Sequence, residues 1–202
     1  MTKPGASALA LFVLLLGASS TAVAQSGSMG GMDMSKHIMI PKGALITVAD
    51  VEFMQGMIAH HAQAIYMSRL AEAHGANPRV TKLSVKIDQS QVAEIRIMQE
   101  WLHRYGQFAP DTGSWRTMQM AGMLSAAQLK ELDAARGVDF DRAYLVLMIQ
   151  HHNGALKMVD DLLSSPRAAQ EVDVSVFAND VVAVQTAEIG VMRRMIGDLA
   201  KN

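Results

Sequence analysis

The 202-residue chain is long enough for one domain with a substantial core and too short for two large ones. Its 18 basic and 19 acidic side chains nearly cancel, which leaves no basic field to hold nucleic acid. No cysteine is present, so disulfides, thiolate zinc sites, iron–sulfur clusters and a catalytic thiol are excluded. Sixteen methionines outnumber all the aromatic residues together, and seven histidines accompany them. Thioether and imidazole are both metal ligands, and copper accepts both.

In chain order, Lys3 supplies a short positive segment, Ala6 to Ala18 is an apolar run, and Ala22-Val23-Ala24 fits the small-x-small cleavage rule. Residues 1–24 therefore read as a secretory signal peptide, with an apolar run too short to span a bilayer. The rival reading is an uncleaved anchor. Residues 25–45 read as a flexible tail rich in Gly, Ser and Met. Met29, Met32, Met34, His37 and Met39 lie in it. Clusters of this kind wrap soft ions such as Cu(I); the plainer alternative is a linker with incidental methionine.

The chain repeats itself. Residues 49–67 (ADVEFMQGMIAHHAQAIYM) align with residues 140–158 (FDRAYLVLMIQHHNGALKM) at an offset of 91. Asp50/Asp141, Met57/Met148, Ile58/Ile149, His60/His151, His61/His152, Ala64/Ala155 and Met67/Met158 are identical pairs. Gln91-Val92-Ala93-Glu94-Ile95 then aligns with Gln185-Thr186-Ala187-Glu188-Ile189 at an offset of 94. The unit is two helices, the first carrying Met-x-x-His-His and the second Gln-x-x-Glu-Ile-x-x-Met. Phe53, Met57, His60, Ala64 and Met67 fall inside one arc of about 80°, which predicts a single apolar stripe on the first helix.

The breaks agree. His74-Gly75 ends a helix, Asn77-Pro78 caps and starts the next, and Tyr105-Gly106 ends it. Ser125 caps a short helix within the long central connection. Ser165-Pro166 offers one start for the last helix and the repeat register offers another, near Val172. Strand patterns are absent. The expected fold is all-α: a four-helix bundle over residues 46–202, built from a duplicated helical hairpin (halves about 46–106 and 139–202) with a long crossover.

A buried histidine or carboxylate needs a partner. If the halves pack with pseudo-two-fold symmetry, His60, His61, His151 and His152 approach one another, and Glu94 and Glu188 meet them from the second helix of each half. Two readings stand: metal ligation with the glutamates orienting the imidazoles, or a hydrogen-bonded His–Glu core. Met57 and Met148, one turn from a histidine, are the core methionines to test as ligands; Met120 and Met123 of the crossover resemble the tail. His74 and His103, at helix ends, are expected to be solvated.

The segments Phe53-x-x-x-Met57-Ile58-x-His60-His61, Gln91-x-x-Glu94-Ile95-x-x-Met98-x-x-Trp101-Leu102, Met120-x-Gly122-Met123, Phe140-Asp141-Arg142-x-Tyr144 and Met148-Ile149-x-His151-His152 together resemble the family DUF305, a domain of unknown function that includes CopM-like copper-binding proteins. The resemblance spans about residues 46–202. It implies a ferritin-like four-helix bundle, export, and copper binding at the His and Met positions quoted. The departure is Met195-Ile196 where the first half has Trp101-Leu102.

The first functional reading is thus a periplasmic or secreted copper-binding protein, holding Cu(I) or Cu(II) for sequestration, trafficking or resistance. The partners this implies are a copper-transfer protein and a second copy of the chain, with no nucleic acid and no membrane span once the leader is cleaved. The alternatives are a ferritin-like di-metal oxidoreductase, disfavoured because no Glu-x-x-His occurs, and a metal-free structural or partner-binding bundle.

Overall fold

The computed structural model describes Met1 and residues 38–200. Its elements are α1 (Val48–Ala73), α2 (Pro78–Arg104), a 3-10 turn (Ser114–Arg116), α3 (Ala126–Ala134), α4 (Gly137–Ser164) and α5 (Val172–Leu199), with no strand among the described residues. This is an all-α bundle of four long helices. Local chemistry sets the ends. Thr47 and Asp50 form a reciprocal capping box at α1. Asn77 caps α2 ahead of Pro78, and Ser125 with Gln128 boxes α3. Glu171 caps α5, which begins at Val172, as the repeat register indicates, and not at Pro166.

Within each half the two helices pack on each other, and the halves meet through α1 and α4. α2 and α5 make no extensive backbone contact. Side chains bridge them instead. Arg79 donates to Asp198 and Arg104 to Asp173, so the two helices run antiparallel.

The single stripe expected on α1 is not what is found. From Phe53 to Ile65 the helix is buried on every side. The crossover supplies the extra cover. Gln55 donates to the Phe108 carbonyl (2.8 Å), and Gln63 both donates to the Leu124 carbonyl (3.1 Å) and accepts from the Leu124 amide (2.7 Å). Periodicity reports only the face a helix shows its strongest neighbour; buried glutamines paired to a distant loop carry no period.

Two further expectations are corrected. His74 is buried, not solvated: its Nε2 lies 3.0 Å from the Asp133 carbonyl, and its ring packs on Phe140. Residues 38–45, read from the sequence as part of the tail, are docked on the bundle. Ile38, Ile40 and Ala44 pack against the core, because these apolar side chains bury area on the bundle end, and Gln107 donates to the Met39 carbonyl. His103 is exposed as expected.

The duplicated aspartates lock the halves together reciprocally. Asp50, fully buried, accepts from the Thr47 amide (2.7 Å) and hydroxyl (2.9 Å) and, across the halves, from the Ala169 amide (2.7 Å) in the α4–α5 turn. Its repeat equivalent Asp141 accepts from the Asn77 amide (3.0 Å) in the α1–α2 turn. The Asp50 bond also holds Ala169 in a left-handed conformation (φ 54°), one that alanine adopts only at a cost.

α5 is long and apolar enough to cross a membrane by length and composition, with mean hydropathy 1.2 over the qualifying window. In the bundle it packs along α4 and buries Gln185 and Glu188.

Replacing Asp50 by Ala leaves two part-buried amides without an acceptor and should cost about 1–3 kcal/mol. Asp141→Ala, with one amide at stake, should cost about 1–2 kcal/mol. Urea unfolding checks both, and a loss below about 0.5 kcal/mol for Asp50→Ala would contradict the clamp.

Candidate metal centre

The core is divided. One apolar compartment gathers Val51, Met57, Met98, Trp101, Val159 and Val181; the other gathers Met67, Ile87, Phe140, Tyr144, Met148 and Met192. Between them lies a polar belt of His60, His61, Gln91, His151, His152, Gln185 and Glu188, all buried. The helical spacing creates this belt, because each Met-x-x-His-His places its histidines one turn past an apolar residue on the inward face.

His60 and His151, repeat equivalents on α1 and α4, meet at the pseudo-dyad with ring centroids 3.7 Å apart and planes tilted by 39°. His61 and His152 lie outside this pair, each 6.4 Å from its neighbour's ring. Glu94 on α2 accepts from His61 Nε2 (2.6 Å), and Glu188 on α5 accepts from His152 Nε2 (2.9 Å). The result is a row of four imidazoles ended by a glutamate at each side. Glu188 also has Lys86 Nζ 3.3 Å from its other oxygen, near enough for an ion pair but not aligned as a hydrogen bond.

The inner pair is unusual in what it lacks. The ring nitrogens of His60 and of His151 are buried without a well-formed hydrogen bond, although the Ala121 carbonyl approaches His60 and each ring lies near the other histidine's backbone; Nδ1 of His61 and of His152 is buried and unpartnered. An imidazole carries one N–H and one lone pair, and leaving a buried N–H unmet costs about 1–3 kcal/mol. With the carboxylates accepting from Nε2–H, each outer ring keeps a bare, buried Nδ1. A histidine whose other nitrogen donates to a carboxylate is the arrangement that metal-ligating imidazoles adopt. Burial, then repulsion from neighbouring histidines, holds the His60 and His151 pKa values well below the usual imidazole range, so both keep their lone pairs at neutral pH. Salt bridges and burial do not compete evenly at Glu188: burial pushes its pKa up, but His152 and Lys86 together bring it below the ordinary value.

Among the described residues no three His, Asp or Glu side chains converge on one point. The two imidazoles brought closest together are those of His60 and His151, and a fuller ligand set would draw on thioethers. Met57 and Met148 are fully buried, one in each apolar compartment, each one turn before its histidine. The crossover passes close by. Ala121 presses its carbonyl onto α4 at Gly154, where a Cβ would collide with it, and the same carbonyl approaches His60. Met123 is buried and its sulfur accepts from the Met120 amide (3.3 Å). Met120 is half-buried, its sulfur set over Gly56 beside the Met158 methyl. Met39 is exposed. Met29, Met32, Met34 and His37 lie outside the described residues.

Three contributors were not expected from the motif: Lys86, the Ala121 carbonyl and Gln63. The repeat held a signal for the crossover contacts. Gln63 aligns with Gly154, so one half binds the crossover through a side chain while the other removes a side chain to admit it.

Two outcomes follow for the metal-free protein. His151→Leu should stabilise it by about 1–3 kcal/mol, because an unmet N–H is exchanged for an apolar group of similar size; a loss of that size would show the ring to be satisfied. The native pKa values of His60 and His151 are depressed, so below about pH 6.5 the unfolded chain binds protons that the native state refuses. Stability is full above that pH and should fall as pH drops below it, by up to about 2.7 kcal/mol per unit for the pair. Urea midpoints that stay flat between pH 7.5 and pH 5.5 would contradict neutral burial.

Solved structures of known proteins share this bundle. A putative secreted DUF305 protein from Streptomyces coelicolor is 26% identical, with a TM-score of 0.67 over 75% of this chain and 94% of that one. A DUF305 fragment from Deinococcus radiodurans is 31% identical, with a TM-score of 0.66 over 76% and 98%. CopM in the Cu(I)-bound form is 26% identical, with a TM-score of 0.60 over 74% and 96%, and CopM is also known in Cu(II)-bound, silver-bound and apo forms. No curated protein sequence matches. The family described as "Domain of unknown function (DUF305)" matches residues 50–196, and the chain belongs to it.

Proposed function

We propose that the protein is an exported copper-binding protein that acts in copper sequestration, trafficking or resistance. The observation that carries this is the close pair His60 and His151, whose ring nitrogens are buried without a well-formed hydrogen bond. A fold that leaves such groups unmet has a use for their lone pairs, and imidazole with thioether is a copper donor set. His61 and His152, oriented by Glu94 and Glu188, complete the row, with Met57 and Met148 as the nearest thioethers in sequence. The likeness to CopM, crystallised with Cu(I), Cu(II) and silver, supports a soft-metal role. The likeness to a putative secreted protein supports export, with residues 1–24 as the leader.

The methionines of the tail and of the crossover are the second part of the proposal. Met29, Met32, Met34, His37 and Met39 precede the bundle, and Met120 of the crossover lies over Gly56, one turn before His60, with Met123 close to it. The tail residues would collect the ion outside the bundle, and the crossover pair would pass it inward. The oxidoreductase reading gains no support from the geometry, since each glutamate serves a different histidine and the two do not share a bridge.

Purified protein lacking residues 1–24 should bind copper, and loading should raise its melting temperature because the histidine row exists only in the folded bundle. Changing His60, His61, His151 and His152 to Ala should remove the bundle site and spare the tail. Deleting residues 25–40 should do the reverse. Absence of bound Cu(I) and Cu(II) above background, or unchanged stoichiometry in both variants, would overturn the assignment.

A further inference from the structure

The pseudo-dyad maps α2 onto α5 closely enough to pair their bridges. Arg79–Asp198 at one end corresponds position for position to Asp173–Arg104 at the other, at the repeat offset of 94. One bridge breaks this symmetry. Lys86–Glu188 corresponds to Asp180 and Glu94. At the position that the repeat equates with Lys86, the other half carries a carboxylate in place of the ammonium.

The two ends of the imidazole row differ accordingly. The Glu188 side chain is 3% exposed and already holds a cation, the Lys86 ammonium. It lines an apolar cleft of about 640 Å³ between α2 and α5, bounded by Leu83, Val191 and Met195, with Lys82 and Arg79 on its rim. The Met195 thioether aside, these walls are apolar, and the basic rim repels a cation. The Glu94 side chain is 24% exposed and bonded directly to His61 Nε2. There Trp101 and Phe177, the equivalents of Met195 and Leu83, fill the space with buried rings and leave the carboxylate as the exposed end of the row. Asp180 is exposed, and neither it nor Glu94 has a Lys or Arg partner among the described residues.

We propose that the row is polarised: the ion enters at the Glu94 end, steered by Asp180, while Lys86 seals the Glu188 end. This rests on the row being the copper site. Entry exchanges ion hydration for the Glu94 carboxylate and then for imidazole nitrogen, with no change of oxidation state. Lys86 acts as a built-in cation that occupies Glu188 and denies it to the metal. Both Asp180 and Lys86 are surface positions outside the proposed ligand set, so their variants should fold.

The test is stopped-flow loading of the protein without its leader, using aqueous Ag(I) as the closed-shell mimic of Cu(I), at low ionic strength. Asp180→Lys should slow loading about tenfold, with the deficit shrinking in high salt and the final stoichiometry unchanged. Lys86→Ala should load at least as fast as the parent. If Asp180→Lys loads at the parent rate, or Lys86→Ala loads more slowly, the polarity is wrong although the site stands. If the parent takes up neither Ag(I) nor Cu(I), the functional reading itself falls.

Discussion

Everything in this bundle turns on a pair of neutral imidazoles pressed together at a pseudo-dyad. A core this closely packed normally meets each buried N–H. Here the surroundings instead prevent the pair from charging, through burial and through the histidines on either side. The rest of the fold holds this arrangement in place. The outer histidines are tethered to glutamates on α2 and α5, the apolar compartments close above and below, and the crossover lies over His60. The cost of the unmet groups is borne by the apolar core, a pattern expected where a site is retained for use and not for stability.

Duplication explains how such a site arises. Any residue of one hairpin that lies on the pseudo-two-fold axis meets its own copy, so a single Met-x-x-His-His motif supplies both sides of the pair. The same operation makes the Asp50 and Asp141 clamps reciprocal, each holding the turn of the other half. Departures from the symmetry then carry meaning. Gly154 against Gln63 lets one chain segment cross at one side only. Lys86 against Asp180, and Met195 against Trp101, make the ends of the row unlike.

Much of this was legible in the sequence. Helix ends were written in caps, Asn77-Pro78 and Ser125 among them, and the internal repeat announced both the bundle and the histidines that would share its interior. The aspartates were visible as a repeated pair, but their partners were not, since an Asp that accepts from a turn more than a hundred residues away leaves no local trace. His74 looked solvated because it ends a helix; Asp133 on α3 buries it, a tertiary contact that capping rules do not reach. The face of α1 was under-read for the same reason. Its outer side is covered by an irregular crossover, and only the buried glutamines Gln55 and Gln63 hint at it.

The central claim is that the duplicated histidines ligate the ion inside the bundle, with thioether help. X-ray absorption at the copper edge, on the protein without residues 1–40 loaded with one equivalent of Cu(I), addresses it most directly. The account predicts imidazole scattering together with a sulfur neighbour, both lost in the His60→Leu, His151→Leu double variant. A copper shell of oxygen neighbours without imidazole, or one unaltered by that double change, would contradict it.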